Sequence, residues 1–137
     1  MKNLALATLI SLACGTTALA SGDHDHEAAV EAAPHGGILR NAAPYKAELV
    51  LKKDNAKVYV YDDKMKPVAK EKLKPSIKGE LGFPKDKKKK QVTFDLKSDA
   101  YEATLAGIGK VHRYDLHITL EVDGKPILAD FGVDNIH

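Results

Sequence analysis

The sequence has no tryptophan, a single cysteine (Cys14), and no apolar run approaching the ~18 residues that a membrane-spanning helix needs. Methionine is nearly as scarce: Met65 is the only one after Met1. Arginine is confined to Arg40 and Arg113, and a lysine-rich surface with so little arginine is a weak signature for nucleic-acid binding. Recognisable catalytic motifs are missing too. Ser76 and Ser98 lie in lysine-rich turns without a Gly-x-Ser-x-Gly elbow. Gly107-Ile108-Gly109 precedes Lys110 but lacks the spacing of a phosphate-binding loop. Asp62-Asp63 reads as a turn rather than an acid/base pair. We therefore expect a protein that is not an enzyme.

What is present begins with an export signal. Met1-Lys2-Asn3 is a short basic start, residues 4–13 are apolar apart from Thr8 and Ser11, and Ala18-Leu19-Ala20 is a small-x-small cleavage site. Residues 1–20 are read as a signal peptide cleaved after Ala20, which places the mature protein in the periplasm. Cys14 offers the alternative of a lipoprotein, but Ser11 stands where such signals carry a branched apolar residue. Cleavage after Ala20 leaves no cysteine, which excludes disulfides and thiolate metal sites.

Residues 21–33 read as a disordered arm. They hold Ala, Asp, Glu and His with almost nothing to bury, and no lysine or arginine. Asp23-His24-Asp25-His26 alternates carboxylate and imidazole, the ligand chemistry of a borderline divalent metal such as Zn²⁺, Cu²⁺, Ni²⁺ or Co²⁺. With no thiolate and one thioether, soft Cu(I) is disfavoured. Such an arm chelates weakly, because ordering it costs entropy. A ligating histidine must be neutral, so affinity should fall as pH drops through ~6.5.

From Pro34 onward the pattern has period two. Residues 45–52 alternate, with Ala47, Leu49 and Leu51 on one face. After a turn at Asp54-Asn55, Val58 and Val60 face one way and Tyr59 and Tyr61 the other. Further strands are expected at 76–81, 91–96, 101–105, 111–122 and, beyond the Asp123-Gly124 hairpin turn, 125–131. The lysine run 85–90 reads as a solvated loop or edge. Residues 34–137 are thus expected to form one all-β domain of about seven antiparallel strands, an Ig-like sandwich or a small barrel. His112 should share the inward face of the longest strand at its solvent-facing start. His117, at odd spacing from it, should face outward, so the two should not chelate one ion.

His35-Gly36-Gly37 opens the domain, with glycines that permit a tight turn and a close backbone approach. Behind it come residues 45–51 (with Glu48), Val58-Tyr59-Val60-Tyr61-Asp62, Lys66-Pro67-Val68 and His112-Arg113-Tyr114-Asp115-Leu116, in that order. The pattern, over roughly residues 34–131, resembles the N-terminal domain of periplasmic adaptor subunits from cobalt-zinc-cadmium efflux pumps. It is also similar to small stand-alone exported proteins that start on His-Gly-Gly. The resemblance implies metal handling, with His35 and His112 at the family's histidine positions and components of a heavy-metal efflux pump as partners. Where that family has Glu-Pro-His, this chain has Lys110-Val111-His112, which removes a nearby carboxylate. The long helical hairpin and lipoyl-like segment of the adaptors are missing, so binding, buffering or hand-over of metal is implied rather than bridging of pump and channel. The alternative from another class is a non-catalytic, partner-binding β domain with incidental histidines, whose lysine-rich face docks on an acidic envelope protein or a lipid surface.

Overall fold

Apolar residues at every second position force strands whose one face is buried and whose other face meets solvent. The computed structural model describes residues 32–135. The signal peptide, Cys14, the ligands Asp23, His24, Asp25 and His26, and His137 lie outside the described residues. Eight strands follow in chain order: β1 (Ile38–Ala42), β2 (Tyr45–Lys52), β3 (Asn55–Tyr61), β4 (Ser76–Gly82), β5 (Lys90–Lys97), β6 (Ala100–Thr104), β7 (Arg113–Val122) and β8 (Lys125–Asp134). Every ladder is antiparallel, and the order across the sheet is β1-β2-β3-β6-β5-β4-β7-β8. β4, β5 and β6 form a meander, and β7 returns to lie beside β4, which is the Greek-key arrangement. The sheet curls until β8 packs against β1 and β2, closing most of a barrel. Of the two expected architectures, the single-sheet barrel is the one formed.

The barrel interior is filled by the predicted faces. Leu49 and Val58 meet Phe94, Tyr101, Leu116, Ile118, Leu120 and Phe131, all buried. Gly79 makes room for this packing: a Cβ there would sit 3.1 Å from the Phe94 ring. Two buried tyrosines differ in how their hydroxyls fare. Tyr101 donates to the Lys74 carbonyl at 2.6 Å, whereas the Tyr114 hydroxyl has no partner among the described residues. Burial pushes both phenols up to about 12.

Three details differ from the sequence reading. β1 was not expected, because Arg40-Asn41 interrupts its alternation; it is held through its ladder to β2. The β2–β3 turn is Lys53-Asp54, one residue earlier than expected, since Asn55 already pairs with Lys52 and Thr104. His112 precedes β7 and is exposed rather than sharing its inward face, and its carbonyl accepts the Asn135 N–H at 2.7 Å. The Asp123-Gly124 turn forms as expected, with both residues at positive φ (53° and 78°), the geometry that matches strand twist.

The crossover from β3 to β4 spans one end of the barrel. Asp62 Oδ1 caps its first turn by accepting the N–H groups of Lys64 and Lys66. Val68 N–H then bonds the Val60 carbonyl, and Leu73 bridges Val122. No helix among the described residues is long and apolar enough to cross a membrane.

Candidate functional site

Strand parity puts Ala47 and Leu49 inside the barrel and Glu48 between them on the outside. Yet Glu48 is fully buried, the only charged residue so placed among the described residues. The segment before β1 folds across the outer face of β2 and β3 and covers it. The two glycines of His35-Gly36-Gly37 do different work there. Gly36 takes φ +72°, a left-handed conformation that turns the chain. Gly37 lets the backbone press against β2: a Cβ there would lie 2.3 Å from the Leu49 carbonyl oxygen.

That close approach aims two backbone donors at one oxygen. The N–H groups of His35 and Gly37 donate to Glu48 Oε2 at 2.8 and 2.9 Å. The other oxygen, Oε1, accepts the Tyr61 hydroxyl at 2.8 Å and lies 3.0 Å from His35 Nδ1. Nδ1 is also 2.9 Å from the Tyr61 oxygen. The ring of His35 stacks on Tyr59, which faces Glu48 across the β2–β3 ladder, at 3.7 Å between centroids and 9° between planes.

The proton count follows from this geometry. Burial, the largest influence on Glu48, raises its carboxyl pKa, but the hydrogen bonds from His35, Gly37 and Tyr61 together outweigh it and hold the group below its usual range. Glu48 is then a carboxylate that only accepts. Tyr61 spends its single proton on Oε1; burial first, then the bond to Glu48 and its charge, hold that proton more firmly than usual. His35 Nδ1 must therefore carry a proton to share with the carboxylate and the phenol oxygen. A neutral imidazole so arranged has its lone pair on Nε2, outside the network, on a side chain 40% exposed. Carboxylate-to-Nδ1 orientation with an available Nε2 is the support that metal-ligating histidines commonly have. The same bonds also fasten the segment to the barrel wall.

Beside His35 lies a cavity of about 240 Å³. Val58, Val60, Val68 and Leu73 give it apolar walls, and Lys70, Ser98 and Asp99 contribute polar groups. It occupies the place where β3 leaves β6 and pairs instead with Pro67-Val68.

His112 is elsewhere. It lines a separate groove of about 310 Å³ with Phe83, Pro84, Lys85, Lys110, Val111 and Arg113. The His35 cavity reaches Ser98 to Tyr101 at the start of β6, whereas His112 follows the 3₁₀ turn Ile108–Lys110 beyond the other end of that strand. The two histidines that the resemblance pairs are not brought together. Three cationic side chains share the His112 groove, which works against a bound metal cation. His117 faces outward as expected and meets Asp130 across the β7–β8 ladder at 2.7 Å. Among the described residues no group of three or more His, Cys, Asp or Glu side chains is placed to hold a metal ion.

Glu48, Tyr59 and Tyr61 lie inside the sequence motifs, but residue type and spacing alone give them no role. The signal available was an acid between two inward residues of a strand, followed by two outward tyrosines on the next. No protein-family model matches the chain, and neither a curated protein nor a solved structure does.

Proposed function

We propose that the protein is an exported accessory protein that binds and buffers divalent heavy-metal ions (Zn²⁺, Cu²⁺, Ni²⁺ or Co²⁺), in connection with heavy-metal efflux or resistance. The observation that carries this reading is the His35 imidazole, fixed through Nδ1 by a buried carboxylate on a side chain that is 40% exposed, which leaves Nε2 outside the network. One preset imidazole supports weak, exchangeable binding, which suits a buffer rather than a structural centre. The alternating ligands Asp23, His24, Asp25 and His26 supply further nitrogen and oxygen donors in the sequence. His112 contributes less in this reading, given the cations around it.

Titration calorimetry of the full-length mature protein with Zn²⁺, Cu²⁺ and Ni²⁺ tests the proposal. Binding tighter than that of free imidazole is expected, weakened by His35→Ala and, separately, by His24→Ala with His26→Ala. Affinity no better than free imidazole ends the metal reading. Affinity unchanged by His35→Ala but abolished by the arm variant removes the folded domain from it. A partner-binding barrel with incidental histidines is the second reading. It is favoured by the complete hydrogen bonding of Glu48, which explains His35 without any metal.

A further inference from the structure

The β4–β5 loop and the segment entering β7 are distant in sequence but meet at one end of the barrel. Leu81 pairs with Lys90, and Gly82 with Asp115. This brings Lys85, Lys87, Lys88, Lys89 and Lys90 to the same end as Lys110 and Arg113. The groove between these segments has Phe83, Pro84 and Val111 as its apolar side, and no carboxylate lines it. Opposing charge is thin: the exposed Asp86 stands among the lysines, and Lys89 meets Glu80 and Arg113 meets Asp134, each at 3.7 Å and exposed. No salt bridge is found for Lys85, Lys87, Lys88, Lys90 or Lys110 among the described residues. The far end differs, with acids and lysines interleaved in Asp62-Asp63-Lys64 and Lys70-Glu71-Lys72. The molecule is therefore electrically lopsided along its axis, with like charges crowded around an apolar cleft at one end only.

We infer that this end docks on an anionic lipid surface, the lysines against headgroup phosphates and the Phe83-Pro84 side of the groove against the acyl boundary. Charge complementarity selects the occupant. Apart from Asp86 the run is lysine, a compact charge on a flexible stem without the fork that picks out single carboxylates, so it suits a diffuse sheet of phosphates better than one acidic peptide. Lysine stems also cover apolar surface while their heads reach outward. An apolar contact beside several basic residues is the two-part attachment that peripheral proteins use. This inference does not depend on metal binding.

Sedimentation of the full-length mature protein with vesicles tests it, using phosphatidylcholine alone and phosphatidylcholine with phosphatidylglycerol. Binding is expected only with phosphatidylglycerol, and it should fall as salt rises. Lys87→Gln with Lys88→Gln should weaken it by about 30-fold, from the typical contribution of two lysines near such a surface. Lys72→Gln with Lys125→Gln, at the far end, should leave it unchanged. Absence of phosphatidylglycerol-dependent binding overturns the inference, as does an equal loss from both double variants. Binding to soluble polyglutamate with none to vesicles also overturns it, and assigns the groove to an acidic protein.

Discussion

The surroundings of His35 and His112 could hardly differ more. His35 is gripped: its backbone and ring both bond Glu48, its face lies on Tyr59, and its neighbour Gly37 is pressed against β2. His112 is exposed at the mouth of a cationic groove. A histidine's position in a motif therefore says little about its chemistry. What distinguishes the two is the second layer of residues, a buried acceptor in one case and repelling cations in the other.

The largest effect should come from removing the acceptor. Glu48→Ala strands two backbone donors and a phenol under the covering segment, and should cost about 3–5 kcal/mol in urea unfolding. The same carboxylate sets an acid limit. Its folded pKa lies below the unfolded value, so its contribution is fully present above about pH 4.3 and is lost as pH falls through the folded value. Glu48→Gln should flatten that part of the stability–pH curve; an acid limb as steep as in the parent would show that other groups set it.

Gly37→Ala should follow, at about 2–3 kcal/mol, because the new methyl meets a backbone oxygen rather than a movable side chain. Gly36→Ala has open space but a strained φ, so it should cost about 1 kcal/mol. The tyrosines give a comparison of sign. Tyr61→Phe removes a bond to a charged acceptor and should cost about 1.5–3 kcal/mol. Tyr114→Phe removes a hydroxyl that no described residue satisfies, and should be neutral or stabilising by up to about 1 kcal/mol. Smallest of all, His112→Ala, at an exposed position before β7, should change the unfolding free energy by less than about 0.5 kcal/mol. A larger loss there would mean that His112 is as much a part of the fold as His35.

Much of the fold was readable because alternation alone separates inside from outside. Seven strands followed from residues such as Val58 and Val60, or Leu116, Ile118 and Leu120. β1 escaped because its pairing is made by backbone groups, which leave no mark on residue type. The site was half readable. The His-Gly-Gly spacing advertised a close backbone approach, but not what is approached. Glu48 lies on the strand face that period-two reasoning assigns to solvent, and only a segment 11 to 13 residues earlier makes it buried. Barrel or sandwich was open for a related reason: whether the last strand reaches the first depends on accumulated curl, which no single residue encodes.

The covering segment also has a mechanical meaning. Three of its bonds to the barrel, from His35 N–H, His35 Nδ1 and Gly37 N–H, end on one carboxylate. Tension applied to the chain from its N-terminal side loads them in parallel, so they release together rather than peeling one by one. The entry to the domain behaves as a cleat with a single pin, and protonating that pin is the way to slip it.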